Sequence, residues 1–159
     1  MAAALPDLPM PETVMVRLIR ISVAGLSQYF EPVFRAMGLT ENSFHVLCLL
    51  MATEHGRASP SELSDLVGTS RGNMTRILDS LVTEGLATRA FEARDGRRHV
   101  IEITEAGRRS ALDAVPRLAE PLTQAFAGLT PEEFDQLGTL LRKAITSFDR
   151  SALPLRVSA

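Results

Sequence analysis

The sequence predicts a mainly α-helical fold with one small β-hairpin, four helices preceding it and two following it. Three observations predict this. Apolar residues recur at helical spacing along most of the chain. Capping-box signatures open two helices, at Ser59-Pro60-Ser61-Glu62 and at Thr130-Pro131-Glu132-Glu133. Only around Asp95-Gly96 does the pattern change to short strands flanking a turn.

The elements follow in order. Residues 1–11, with Pro6, Pro9 and Pro11, read as a flexible arm without the basic start and apolar core of a signal peptide. A helical pattern covers 12–37 through Val14, Leu18, Ile21 and Leu26, then Tyr29, Phe30, Val33 and Phe34. Pro32 within it predicts a kink or a detached last turn, and Gly38 stops it. Thr40 caps a second helix, TENSFHVLCLLMATEH, apolar nearly all round and therefore expected in the middle of the domain. In SPSELSDLVG the cap Ser59, Pro60 at the first helical position and Glu62 start a short helix. Leu63, Leu66 and Val67 give that helix its inner face, and Gly68 ends it. After the Gly-Thr-Ser turn, Ser70 caps a helix with the stripe Met74, Ile77, Leu78, Leu81 and Val82. Two short helices joined by a tight turn make a helix-turn-helix.

LATRAFE and HVIEI then flank ARDGRR, and Asp95-Gly96 predicts a two-residue turn with an arginine-rich tip. Thr104 caps a long helix to about Ala127, bent by Pro116 and Pro121. Thr130 opens the last helix, striped by Phe134, Leu137, Leu140, Leu141, Ile145 and Phe148, and 150–159 read as a frayed tail. A β-hairpin directly after a helix-turn-helix defines a winged helix.

At 159 residues, 45% hydrophobic and 23% charged, the chain has the size and balance of one globular domain with helical extensions. No apolar run reaches membrane-spanning length, and the single cysteine, Cys48, fits a reducing cytoplasm. The net charge of −2 is not that of a wholly basic nucleic-acid binder. Its distribution is uneven. Residues 71–109 hold eight arginines against six acids, and residues 110–150 four basic residues against six acids. One polyanion-facing segment sits on a neutral-to-acidic frame.

The chemistry lies in that segment. Opposite the Met74 stripe the helix carries Arg71, Gly72, Asn73, Thr75 and Arg76. Gly72 lets a backbone approach a phosphate, while Ser70 and the free N–H groups of the first turn can bind phosphate oxygens. Arginine and asparagine have the donors for guanine and adenine edges in the major groove. Arg94, Arg97 and Arg98 crowd the hairpin tip, where arginine suits the negative potential of a minor groove, and Asp95 would orient Arg97. Each feature alone also fits an ordinary capped surface helix or a solvated turn; their order along the chain favours the nucleic-acid reading.

The stretch SPSELSDLVGTSRGNMTRILDSLVTEGLATRAFEARDGRRHVIEITEAGRR resembles the core of MarR-family transcriptional regulators. The Asp95-Gly96-Arg97 wing and the Ile103-Thr104-Glu105-Ala106-Gly107 helix start match most closely, and the resemblance spans residues 18–149. SPSELS followed by SRGNMTRI is most similar to the EmrR/MprA-type repressors of multidrug efflux within that family. The resemblance implies a homodimer built by helices 12–37 and 104–149 around a DNA-binding unit at 38–103. It implies a pseudo-palindromic double-stranded DNA operator, with repression relieved by a small aromatic or phenolic ligand. The expected DNA-facing set is Ser59, Ser61, Thr69, Ser70, Arg71, Asn73, Thr75, Arg76, Arg94, Asp95, Arg97 and Arg98. The expected ligand-facing set is Tyr29, Phe30, Phe34, Phe44, His45, Cys48 and Met51. Residue by residue, ordinary core packing describes the second set equally well.

Cys48 reads first as a small core hydrophobe; a redox-responsive regulator of the same fold is the alternative. His45 and Cys48 lie three apart without the further ligands a metal needs, so neither metal nor cofactor is expected. His45, His55 and His99 fall in different elements without a nucleophile, and no Gly-rich phosphate loop is present, which argues against an enzyme. A winged helix that binds only proteins is the remaining rival.

Overall fold

The computed structural model describes residues 8–92 and 95–148, with the backbone alone for 92 and 95–98. The order is α1 (Met10–Arg35), α2 (Glu41–Ala52), β1 (Arg57–Ala58), α3 (Pro60–Val67), α4 (Arg71–Thr83), β2 (Ala87–Glu92), β3 (Asp95–Ile103), α5 (Glu105–Ala125) and α6 (Pro131–Phe148). This is the predicted mainly helical winged helix, with one strand more than expected.

α1 runs unbroken through Pro32, so the expected detached turn does not occur. Pro32 removes one helical hydrogen bond, but it sits on an exposed face where water can take the freed carbonyl, and the Ala36 N–H still donates to the Pro32 carbonyl at 3.1 Å. Thr40 and Ser43 cap α2 reciprocally, and the helix buries Val46, Leu47 and Leu50 completely. His45 is nevertheless exposed, so α2 is central on one side only.

In α3 the Ser59 N–H donates to Glu62 Oε2 at 2.8 Å, and the Glu62 N–H donates back to Ser59 Oγ at 3.3 Å. Leu66 does not join the inner face, as expected from the sequence, but stands 51% exposed. The inward direction of this eight-residue helix is set by Leu63, Ser64 and Val67, and Leu66 points well to one side of it. Ser64 Oγ donates to the Thr69 carbonyl at 2.7 Å, which fixes that rotation and closes the turn into α4. Gly68, at φ +71°, makes the left-handed turn itself.

α4 buries Met74, Ile77, Leu78 and Leu81, with Val82 half-buried at the stripe's edge. The sheet has the order β1-β3-β2, antiparallel throughout. β1 is two residues long, too short to leave a period in the sequence; it pairs Arg57 with Glu102 and Ala58 with Ile101. The expected turn at Asp95-Gly96 is displaced. Asp95 pairs with Glu92, so both expected turn residues belong to β3. Stepping from Phe91 to Glu92 moves the partner from His99 to Asp95, so the extra residues 96–98 are taken up as an irregularity in β3.

Thr104 joins the wing to α5. Its Oγ1 donates to the Gly85 carbonyl at 2.8 Å, its N–H donates to the Leu86 carbonyl at 3.1 Å, and Oγ1 accepts from the Gly107 N–H at 3.0 Å. Behind that cap, α5 buries Gly107 on Leu86 and Ile103, packs its further buried residues Ala111, Ala114 and Leu118 in the core it shares with α1 and α2, and runs on through Pro116 and Pro121. α6 starts at the predicted box, the Thr130 N–H donating to Glu133 Oε2 at 2.8 Å.

Candidate nucleic-acid interface

The buried α4 stripe turns the opposite side of that helix outward. Arg71, Gly72, Thr75 and Arg76 are exposed, and among the described residues neither arginine has an ion-pair partner. Ser70 Oγ accepts from the Asn73 N–H at 3.2 Å, which holds the first turn and leaves the hydroxyl hydrogen free to donate. Asn73 is half-buried, and its Nδ2 donates to Thr69 Oγ1 at 2.8 Å, so part of its amide braces the turn between α3 and α4. Thr75 Oγ1 donates back to the Arg71 carbonyl at 3.0 Å. On α3, Ser59 is engaged in its own cap, with Oγ 3.1 Å from that of exposed Ser61. Ser61, Ser70, Arg71, Thr75 and Arg76 are thus exposed, while Ser59, Thr69 and Asn73 are half-buried, the last two bonded to each other in the turn between α3 and α4.

Of the wing residues expected to face DNA, Arg94 lies outside the described residues, as do the side chains of Asp95, Arg97 and Arg98. The strands that carry them are placed by contacts the sequence reading missed. Arg89 on β2 pairs with Asp79 on α4. Asp79 stands one turn beyond Thr75 and Arg76 on the same polar face, so this pair joins the face directly to the wing. On the other strand, Arg57 Nη2 lies 2.9 Å from Glu102 Oε2 and ties β1 to β3. The signal for Arg89 was present in ATRAFE, where alternation places it on the same face as buried Ala87.

The aromatic residues of the expected ligand set do come together. Tyr29 meets Phe30 edge-on at 5.0 Å between centroids, Phe34 meets Phe44 at 5.6 Å, and Phe44 meets His45 at 6.2 Å. Tyr29 Oη donates to the Pro121 carbonyl at 3.2 Å. Phe30 and Phe34 are buried in the main core, while Phe44, Cys48 and Met51 are half-buried. A cavity of about 400 Å³ opens between α1 and α2 over Phe34 and Leu39, with Glu31, Arg35 and Glu41 on its rim. Phe34 alone of the seven residues lines it. Burial pushes the Cys48 thiol above its ordinary pKa, the opposite of what a thiolate sensor needs. Among the described residues, no group of three or more His, Cys, Asp or Glu could hold a metal, and no helix is long and apolar enough to cross a membrane.

Comparison with known proteins agrees with this architecture. Residues 37–98 match the model of the MarR family. The transcriptional repressor MprA of Escherichia coli K12 is 31% identical over 144 residues, covering 91% of this chain and 82% of that protein. Sco3205 of Streptomyces coelicolor, a MarR-family transcriptional regulator solved in complex with DNA, superposes with a TM-score of 0.81 at 21% identity, covering 93% of this chain and 94% of the other. A mutant MarR from E. coli complexed with operator DNA gives 0.78 at 24% identity, covering 87% and 98%. By the likeness of sequence and the winged-helix fold together, this chain belongs to the MarR family, whose members are transcriptional regulators and not enzymes.

Proposed function

We propose that the protein is a cytoplasmic, homodimeric repressor that binds a pseudo-palindromic operator and is released by a small aromatic or phenolic ligand, in the manner of a multidrug-efflux regulator. The observation that carries the DNA reading is the α4 face: Arg71 and Arg76 stand exposed opposite the buried stripe, without an ion-pair partner among the described residues, with the wing anchored beside them. Arg71, Asn73, Thr75 and Arg76 read the major groove from this face; Ser59, Ser61, Thr69 and Ser70 hold phosphates. Arg97, oriented by Asp95 and helped by Arg94 and Arg98, enters the neighbouring minor groove.

The division into a DNA-binding unit at 38–103 and dimerisation helices at 12–37 and 104–149 is supported by exposed apolar surface. α6 buries none of its residues, yet Phe134, Leu137, Leu140 and Leu141 form its stripe. Val14, Leu18 and Ile21 on α1, and Leu112, Val115 and Leu122 on α5, are likewise exposed. Such faces need a partner, and a twofold copy would set two α4 helices about one DNA turn apart. For the effector, the supporting feature is the aromatic cluster from Tyr29 to His45, at the junction of α1 with α2. A gel shift on the DNA upstream of the protein's own gene, with and without phenolic compounds, tests the whole reading. Retardation at low salt that the phenol relieves is expected; absence of retardation at low salt overturns it.

A further inference from the structure

Phe91 on β2 is 60% exposed, and its ring centroid lies 4.7 Å from that of His99, its register partner on β3, with the planes at 43°. A single exposed apolar side chain is ordinary. The position of this one is not. Alternation along the strands puts Ala87, Arg89 and Phe91 on one face of β2, opposite Ile103, Ile101 and His99 on β3. Ala87, Ile101 and Ile103 belong to the core, and Arg89 reaches across to Asp79 on α4. The Phe91–His99 pair is therefore the outward continuation of the inner face, on the side of the wing turned toward α4 and past the point where the core ends. Arg89, two residues before Phe91 on the same face of β2, pairs with Asp79 on α4, one turn beyond Thr75 and Arg76, so this side of the wing is tied to the polar face of α4.

We propose that Phe91 and His99 together grip the sugar–phosphate backbone of bound DNA between α4 and the wing, the Phe91 ring against a deoxyribose and a His99 N–H on a phosphate oxygen. The inference rests on the DNA-binding reading above and adds to it a contact that reads no base. The chemistry suits that task. A strand of DNA crossing from the major groove at α4 to the minor groove at the wing presents the apolar edge of its sugars and the oxygens of its phosphates in alternation. An aromatic ring beside a ring N–H donor matches this alternation, and the cross-strand packing of the rings fixes both before DNA arrives. A protein partner would instead favour a wider apolar patch, whereas the neighbouring residues Arg89, Asp79 and Arg76 are all charged.

A contact to the backbone is independent of base sequence, so two duplexes serve as probes: the fragment upstream of the protein's own gene, and a mixed-sequence duplex of about 30 base pairs, long enough for two half-sites one turn apart. Binding is read by fluorescence anisotropy at low salt. Phe91→Ala is expected to weaken both probes alike, by roughly tenfold, with the salt slope unchanged because no cation is lost. His99→Phe keeps the packed rings, removes the donor and is expected to weaken both about threefold. Either variant binding within about twofold of the parent overturns the proposal. A full-length chain carrying 4-fluorophenylalanine at position 91 answers independently of how the substitutions fold. Its fluorine resonance shifts on adding either duplex if the ring meets DNA, and a resonance unmoved in a formed complex also overturns the proposal. A parent chain that binds neither duplex overturns the DNA reading itself, and this contact with it.

Discussion

A β-carbon on Gly107 would stand 2.1 Å from the Leu86 carbonyl oxygen and 3.0 Å from a methylene of Ile103. The first turn of α5 thus lies directly on the backbone that leads from α4 into the wing. The Leu86 carbonyl also accepts from the Thr104 N–H, so it cannot turn away without losing a bond. Gly107→Ala is expected to destabilise the fold by about 2 kcal/mol, the order of an overpacked core contact. Chemical denaturation of parent and variant at equal protein concentration measures this, because the stability of the proposed dimer would depend on concentration.

The pair between Asp79 and Arg89 serves position more than stability. Both side chains are about half exposed, and a surface ion pair contributes only about 0–1 kcal/mol. Arg89→Ala should leave the denaturation midpoint nearly unchanged while weakening DNA binding, since the wing loses its tie to α4. Exchanging the two residues, with Asp79→Arg and Arg89→Asp in one chain, should recover part of the affinity. A double-mutant cycle on binding, with no coupling between the two positions, would refute the tie.

The arginines of α4 and of the wing differ in what their loss should do. Each phosphate contact removed lowers the salt slope of binding by about one. Arg97→Ala is therefore expected to weaken binding to all duplexes and flatten the salt dependence, leaving the proposed dimer intact. Arg76→Ala should in addition relax base preference by about 1–3 kcal/mol at one position in each half-site, as measured against a panel of single-base variants.

Much of this architecture was legible because it rests on local chemistry. Capping boxes at Ser59 and Thr130, the cap at Thr104 and the four-residue stripe of α4 are each determined within a few residues. The misplaced features depend on distant partners. Leu66 follows the helical period, yet Ser64, bonded to the Thr69 carbonyl, sets the rotation of α3 and leaves Leu66 in solvent. β1 exists only because β3 offers an edge to Arg57 and Ala58. Asp95-Gly96 carries a strong turn signature, but the register of β2 against β3 takes both residues into β3. In the candidate interface, the polar face of α4 was readable from periodicity. The Asp79–Arg89 tie and the Phe91–His99 pair needed the packing of the sheet against α4.

Cys48 offers a test of the redox alternative. Its thiol is pushed up by burial, so at neutral pH its thiolate fraction is below that of an unhindered cysteine. Alkylation by iodoacetamide should be slower than for a free thiol, and Cys48→Ser should keep both DNA binding and its insensitivity to peroxide. The sign for stability follows from the same shift. The unfolded thiol ionises first as pH rises, so this group's contribution is intact below the ordinary thiol pKa and is lost in alkaline solution. Peroxide that abolishes DNA binding of the parent and not of Cys48→Ser would restore the redox reading.

The last helix gives the sharpest test of assembly. α6 is held to the rest of its own chain with no buried residue, although Leu137, Leu140 and Leu141 are each more than a third exposed and share one stripe. Isolated helices of this length are marginal in water, so the stripe must be covered for α6 to persist. Leu140→Glu places a charge in the middle of that stripe. If a second copy covers it, light scattering on the eluting protein should show a shift from dimer toward monomer, with circular dichroism losing helix as α6 frays. DNA affinity should fall far more than any single arginine substitution achieves, because two half-sites no longer bind as one unit. The winged helix of residues 38–103 keeps its own core of Leu47, Leu63, Met74 and Leu81 and should remain folded in the variant. Unchanged mass and unchanged affinity would show that α6 forms no part of the proposed dimer interface.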